Sequence, residues 1–214
     1  MQKLIPIFLG GLSGNCYLLQ NNDSIILVDT GSKSKLKQLE QTLTDHAIKI
    51  ETIQLILITH GDFDHTGNCA CFQNKYKIKI AIHEKDAGMI ENSDMFWNRK
   101  SGNKIVRMVL NTLFGIQKCI PDIKILDTSD LNEFGINAKT IHIPGHSAGS
   151  IGILTQEGDF ICGDIFENTK KPKIGPIIDN KAEAESSINR IKKLTINRVF
   201  PGHGEGFELK ELEL

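Results

Sequence analysis

The sequence predicts an α/β fold in which two β-sheets pack face to face with helices on the outside. Three observations predict it. Each half of the 214-residue chain runs through several short strand-like segments and then into a helix-like one. Residues 53–59, Ile-Gln-Leu-Ile-Leu-Ile-Thr, form a nearly continuous β-branched run, the mark of a strand buried on both faces. The composition, 40% hydrophobic and 24% charged, is that of a packed domain and excludes disorder as the main state.

The elements follow in order. Apolar runs at 4–9, 16–20 and 24–29 read as a β-meander, punctuated by Gly10-Gly11, Ser13-Gly14-Asn15 and Asn21-Asn22-Asp23. The period then changes, and Leu36, Leu39 and Leu43 recur at helical spacing among Lys, Gln and Glu. After the buried strand at 53–59, a short helix is expected to start at Thr66, and an alternating strand at 77–82. Residues 91–120 hold the only tryptophan, Trp97, with Met95 and helical spacing at Ile105, Met108, Val109 and Thr112, and read as a helical insertion. Strands return at 124–126, 139–143, 150–155 and 159–162. A helix at 182–194 carries Ile188 and Ile191 on one face, and a last strand at 198–200 precedes Pro201-Gly202-His203. With no tandem repeat, linker or low-complexity stretch, residues 1–214 are expected to form a single domain, with 91–120 as an insertion within it that could lie over the active site.

Charge and cysteine usage narrow the function classes. Lys plus Arg number 25 and Asp plus Glu 26, a formal net charge of −1, so neither a nucleic-acid partner nor a polybasic membrane contact is expected. No apolar run reaches the ~20 residues that span a bilayer. The first ten residues lack the longer apolar region of a secretory leader. Cys16, Cys69, Cys71, Cys119 and Cys162 are odd in number and form no Cys-x-x-Cys pair. That argues for reduced, mostly buried thiols in a cytoplasmic protein.

Five polar clusters each follow an apolar strand-like run: Asp29, Thr59-His60, Pro144-Gly145-His146, Gly163-Asp164 and Pro201-Gly202-His203. Strand ends lie along one edge of a sheet, where loops carry sites. The densest cluster is His60-Gly61-Asp62-Phe63-Asp64-His65, four potential ligands within six residues. In extended chain His60, Asp62 and Asp64 point the same way, and His65 joins them if the chain turns helical at Thr66. Two carboxylates and two imidazoles this close repel or strain unless a cation gathers them. The bland alternative is a polar loop with Asp64 as a helix N-cap.

Thr59-His60-x-Asp62-x-Asp64-His65 resembles the Thr-His-x-His-x-Asp-His signature of the metallo-β-lactamase-fold superfamily. The resemblance continues, in the family's order, through Asp29-Thr30-Gly31, Pro144-Gly145-His146-Ser147, Gly163-Asp164 and Pro201-Gly202-His203-Gly204. The Pro-Gly-His segments look most like the hydroxyacylglutathione hydrolase (glyoxalase II) branch. This resemblance implies a four-layer αββα sandwich and two divalent metal ions. One would be held by His60, Asp62 and His146, the other by Asp64, His65 and His203, with Asp164 bridging. Asp29 would hold the metal loop without being a ligand.

The departure is Asp62, at a position usually occupied by His. Imidazole suits zinc, the first expectation, while a harder, anionic carboxylate shifts the balance toward iron or manganese. The implied activity is metal-dependent hydrolysis. A water shared by two cations, its pKa lowered to ~7, attacks a thioester, lactone, other ester or amide carbonyl, with Asp64 orienting it and taking its proton. The substrate is expected to be a small molecule. The alternative that Asp62 favours is a non-haem iron redox protein acting on oxygen or sulfur compounds. A nucleic-acid phosphodiesterase is disfavoured by the near-neutral charge.

The remaining candidates are expected to play lesser parts. His46 should be exposed at a helix end, His83 in a surface or capping role, and His142 in the core or behind the site. Cys162 reads as a packed thiol, and Lys170, Lys171 and Lys173 as a solvated loop. Met95, Phe96 and Trp97 are expected either to pack the insertion or to form an apolar wall over the metals.

Overall fold

The computed structural model describes residues 2–99 and 104–212, so residues 100–103 of the expected insertion lie outside the described residues. The first half of the chain builds β1 (Lys3–Ile7), β2 (Cys16–Asn21), β3 (Ser24–Val28), α1 (Leu36–Asp45), β4 (Leu55–Ile58), α2 (Phe63–Thr66), α3 (Cys69–Tyr76), β5 (Lys79–His83), α4 (Glu84–Asn92), α5 (Lys104–Phe114) and β6 (Ile123–Ile125). The second half builds β7 (Ala138–His142), β8 (Ile151–Thr155), β9 (Asp159–Gly163), β10 (Phe166–Glu167), β11 (Lys173–Ile174), α6 (Lys181–Ile191) and β12 (Arg198–Pro201).

The strands form two main sheets, in the orders β1-β2-β3-β4-β5-β6 and β12-β9-β8-β7, with β10 and β11 as a small ribbon. β3, β4, β5 and β6 run parallel, and β12 runs parallel to β9. The alternation of side chains explains the layering. Leu55 and Leu57 of β4, with Ile26 and Val28 of β3, face the other sheet and meet Ile151, Ile153, Ile161 and Phe200. Ile56 and Ile58 turn the other way, toward Leu39 and Leu43 of α1, Phe72 of α3 and Ile90 of α4. The second sheet does the same: Phe160, Cys162 and Val199 pack against Ala184, Ile188 and Ile191 of α6. β4 is apolar on both faces because both faces are covered, and each such buried Leu or Ile stabilises the fold by about 1.5–3 kcal/mol. The result is the αββα sandwich. Among the described residues no helix is long and apolar enough to cross a membrane.

Two local readings are corrected. The helix expected to start at Thr66 ends there. It starts at Phe63, because the Asp62 carbonyl accepts from the backbone N–H groups of His65 (3.1 Å) and Thr66 (3.0 Å) and from the Thr66 hydroxyl (2.8 Å). Asp64 and His65 therefore sit on a helical turn rather than in extended chain, and Asp62, not Asp64, is the N-cap residue. Among the described residues of 91–120, helix covers the end of α4, up to Asn92, and α5, Lys104–Phe114. Residues 93–98 form turns fastened by Asp94, whose carboxylate accepts from Phe96 N–H (3.0 Å) and Asn111 (2.7 Å) and pairs with Arg107 (2.5 Å).

Candidate metal centre

The parallel runs bring the carboxyl ends of β3, β4, β9 and β12 to one edge of the sandwich. Asp29 directly follows β3, His60 lies just past β4, Asp164 directly follows β9, and His203 lies just past β12. The loop after β7 adds His146, and α2 adds Asp64 and His65. The two sheets are stitched at this edge, where Ile151 N–H donates to the Thr59 carbonyl (2.9 Å). The imidazoles of His60 and His65 lie 4.1 Å apart between ring centres, those of His60 and His146 4.4 Å, and those of His65 and His203 5.6 Å.

Each buried imidazole is oriented by the nitrogen that faces away from the centre. His65 Nδ1 meets Asp29 Oδ2 at 2.8 Å. His146 Nδ1 meets the Ile177 carbonyl at 2.8 Å. His60 Nδ1 lies 3.0 Å from the Thr59 hydroxyl, which itself donates to Asp29 (2.7 Å). Asp29 thus holds His65 and the Thr59–His60 turn together, also accepting from Thr59 N–H at 2.8 Å. With Nδ1 committed outward, Nε2 is left to face inward, the arrangement of metal-ligating histidines. The Nε2 atoms of His60 and His65 and Oδ1 of Asp164 are buried without a hydrogen-bond partner. Such orphans are costly in a protein interior unless something binds them.

The donors fall into two groups. His60, His146 and Asp164 form one, and Asp64, His65 and His203 the other. Asp164 serves both, with Oδ1 3.3 Å from His65 Nε2, and Oδ2 3.5 Å from His203 Nε2 and 3.9 Å from His60 Nε2. Asp64 Oδ2 lies 3.1 Å from His203 Nε2. A set of four imidazoles and carboxylates suits two divalent cations of the zinc, iron or manganese kind. The electrostatics agree with one tightly coupled cluster. Burial and the neighbouring His65 and His146 push His60 well below the ordinary imidazole range. Burial alone would also lower His203, but Asp164 and Asp64 outweigh it and hold it at about 9.

Asp62 is at the centre but differently engaged. Its carboxylate forks onto Arg99, with Nη1 2.8 Å from Oδ1 and Nη2 donating to Oδ2 at 2.9 Å, and Oδ2 also lies 3.0 Å from His146 Nε2. Burial would raise its pKa, but His146 and Arg99 prevail and hold it far below the usual carboxylate range. Sequence reasoning missed Arg99, which lies 37 positions along the chain with no periodic signal to mark it. It also missed Asp86 in α4. That fully buried carboxylate accepts from Gly61 N–H (3.1 Å), Gly149 N–H (2.8 Å), Ser147 Oγ (2.6 Å) and Asn98 Nδ2 (2.6 Å), pinning the His60 and His146 loops to each other. Two glycines matter through close approach. A Cβ on Gly14 would strike the His65 ring, and one on Gly202 the Asp164 carboxylate.

The other expected residues are placed as follows. Met95 and Phe96 line a cleft of about 580 Å³ over the centre, with Phe63, Leu110, Phe114 and Ile177. Trp97 does not line it and stays 56% exposed, its ring against Gly88. His83 caps α4, accepting from Lys85 N–H at 3.2 Å, but it is buried rather than on the surface, stacked on His142 at 4.1 Å. His142 Nε2 meets the Ala148 carbonyl at 2.9 Å, behind the centre. His46 is the exposed C-cap of α1, Cys162 is a buried thiol, and Lys173 pairs with Glu167 at 2.9 Å.

Known proteins resemble this chain in sequence and fold. A family model described as the metallo-beta-lactamase superfamily matches residues 9–203. A probable metallo-hydrolase of Methanocaldococcus jannaschii is 28% identical over 203 residues, 91% of this chain and 89% of that protein. An acyl-coenzyme A thioesterase of Homo sapiens is 25% identical over 222 residues, 94% of this chain and 77% of that protein. A protein solved in a di-iron-bound form has a TM-score of 0.75 at 25% identity, over 96% of this chain and 95% of the other. The B3 metallo-beta-lactamase BLEG-1 has a TM-score of 0.76 at 24% identity, over 98% and 95%, a likeness of fold alone.

Proposed function

The chain belongs to the metallo-beta-lactamase superfamily, and from that premise we propose that it is a dinuclear metal-dependent hydrolase of small esters or thioesters with an apolar acyl part. One observation carries the reading: inward-facing imidazole nitrogens and carboxylates converge on one point, with Nε2 of His60 and His65 buried and otherwise unsatisfied. His60 and His146 would hold one cation, Asp64, His65 and His203 the other, and Asp164 both. When bound, such a pair activates water and polarises a carbonyl.

The chain's own residues supply the rest. Asp64, its side chain 12% exposed at the floor of the cleft, is placed to orient the attacking water and accept its proton. His65 and His146 are kept in one tautomer by Asp29 and the Ile177 carbonyl, so no reorganisation is needed when charge develops. Met95, Phe96, Leu110 and Phe114 exclude bulk water and offer an apolar surface for the acyl group. The reading is of a cytoplasmic enzyme with a small-molecule substrate and no nucleic-acid partner. The thioesterase activity of a relative at 25% identity supports the substrate class.

The test is a hydrolysis screen of acyl thioesters, esters, lactones and phosphodiesters on protein whose metal has first been identified by elemental analysis. Turnover of acyl thioesters or esters that disappears on chelation is expected. The second reading, redox chemistry at non-haem iron, draws on the di-iron form of a structural neighbour at 25% identity. Stoichiometric iron with substrate-dependent oxygen uptake would replace the hydrolase reading with it.

A further inference from the structure

We propose that Arg99 competes with a divalent cation for Asp62, so that the two halves of the centre are unequal: the Asp64–His65–His203 half loads first, and the His60–His146 half loads only as the guanidinium releases the carboxylate. The inference rests on the metal-centre reading above and adds an order of filling and the residue that sets it.

Asp62 faces a fixed positive charge rather than the open centre. Arg99 approaches it end-on with both terminal nitrogens, at 2.8 and 2.9 Å, while its Nε donates to Asp179 Oδ2 at 2.7 Å. The Arg99 side chain is 7% exposed and that of Asp62 10%, so this is a desolvated ion pair, in which Nη2 hydrogen-bonds Oδ2 while Nη1 lies beside Oδ1 without an aligned hydrogen bond. A guanidinium does not lose its proton, so the pair cannot be broken by titrating Arg99. Only a competing cation can replace it, and removing one partner of a buried pair without replacement is strongly unfavourable.

Asp62 Oδ2 also engages His146 Nε2, the nitrogen that should face a metal. Asp62 Oδ2 and His146 Nε2 are therefore committed to one another on this side, and Oδ1 is neutralised by the adjacent guanidinium without a hydrogen bond of its own. Asp64, on the other side, and Asp164, shared by both, face imidazoles rather than a guanidinium. A cation arriving at the His60–His146 side meets a carboxylate already neutralised and a fixed positive charge beside it. Among the described residues, a cation arriving at the Asp64 side meets carboxylates with no such fixed charge paired to them. The cost of opening the Arg99 pair falls on the first site, and Coulombic repulsion from the guanidinium is stronger there than at the second.

The geometry also says what holds the gate shut. Asp179 anchors Arg99 from outside the centre. The neighbouring Asn98 is tied to the Lys85 carbonyl (2.7 Å) and to Asp86 (2.6 Å), which fixes the backbone from which Arg99 reaches in.

Metal-free protein titrated with Zn²⁺ by calorimetry, with Co²⁺ absorbance as a second readout and metal content measured after desalting, tests the proposal. The wild type is expected to bind one equivalent tightly and a second at least tenfold more weakly. Arg99→Gln should tighten the second equivalent tenfold or more. Asp179→Asn should act in the same direction by a smaller factor, and it carries the test if Arg99→Gln fails to fold. Arg107→Gln, which breaks the Asp94 pair in the same segment, should leave both affinities at their wild-type values, separating the gate from a general loosening. Two equal sites in the wild type would overturn the proposal. So would a second site that weakens in Arg99→Gln, which would make Arg99 a support for the metal rather than its competitor. No metal uptake by the wild type would overturn the metal-centre reading itself, and this inference with it.

Discussion

The wall of histidines and carboxylates and the segment that covers it are built in opposite ways. In the wall, His60 and His65 are fully buried, their Nδ1 atoms are held by fixed partners, and Asp29 and Asp86 tie the loops that carry them. The cover, from Asp94 through α5, turns Met95, Phe96, Leu110 and Phe114 toward the cleft while Met108, Val109 and Leu113 stay exposed. It is fastened chiefly by Asp94 on its own segment, by the stacking of Phe114 on Phe63 at 4.2 Å, and by Arg99 on Asp62 and Asp179. A rigid polar wall suits chemistry, which needs groups held to fractions of an ångström. An apolar cover suits selection, where shape and greasiness matter more than exact placement. The difference teaches that the wall and the apolar side chains of the cover are built for different tasks, with Arg99 as the link between them.

The largest effect should come from the wall. Asp164→Ala and His60→Ala are each expected to abolish turnover and to lower metal content, checked by elemental analysis beside the rate. A variant with wild-type loading and wild-type rate would remove that residue from the centre. Next is Asp29→Asn, which keeps the shape but removes the negative charge that orients His65. Metal affinity or activity should drop about 10–100-fold, read by calorimetry.

The cover should respond differently. Phe114→Ala is expected to raise KM for long-chain acyl substrates by roughly tenfold, because burying an apolar side chain of this size is worth ~1.5–3 kcal/mol. The value of kcat and the kinetics on acetyl substrates should change little. An equal loss on acetyl and long-chain substrates would contradict the division between wall and cover.

The smallest effect concerns stability behind the wall. Burial, with His142 and Lys85 adding to it, lowers His83 to about 4 from an ordinary 6.5. Between those values the unfolded chain binds a proton that the folded one does not. Stability from this group is therefore present above about 6.5 and falls as pH drops toward 4, by at most about 1.4 kcal/mol per pH unit. The gap in Tm between the wild type and His83→Asn should accordingly narrow on going from pH 7 to pH 4.5. A gap independent of pH would show that His83 carries no such linkage.

Much of this is legible without the fold. Strands, helices and the centre's residues leave local signals: β-branched runs, leucines at helical spacing, a polar residue directly after an apolar run. Parallel strands end at the same edge, so Asp29, His60, Asp164 and His203 are gathered by a rule that a sequence can express. The start of α2 escapes such a rule because it depends on three donors converging on the Asp62 carbonyl, which no propensity scale registers. Adjacency groups Trp97 with Met95 and Phe96, yet successive residues in a turn face different ways, and only two of the three reach the cleft.

The order and spacing of apolar runs and terminal polar residues determined the layers and the edge to which the polar clusters come, and the resemblance of those clusters to a known motif named the candidate histidines and carboxylates. Only the tertiary structure decided that Arg99 and Asp179 bracket Asp62, that Asp86 locks two loops, and that α5 shows one apolar face to the cleft and another to solvent. The physical reason is range. Burial and pairing within a strand or helix are written in neighbouring residues, whereas an ion pair between Asp62, Arg99 and Asp179 exists only once packing has brought distant segments together in a place water cannot reach.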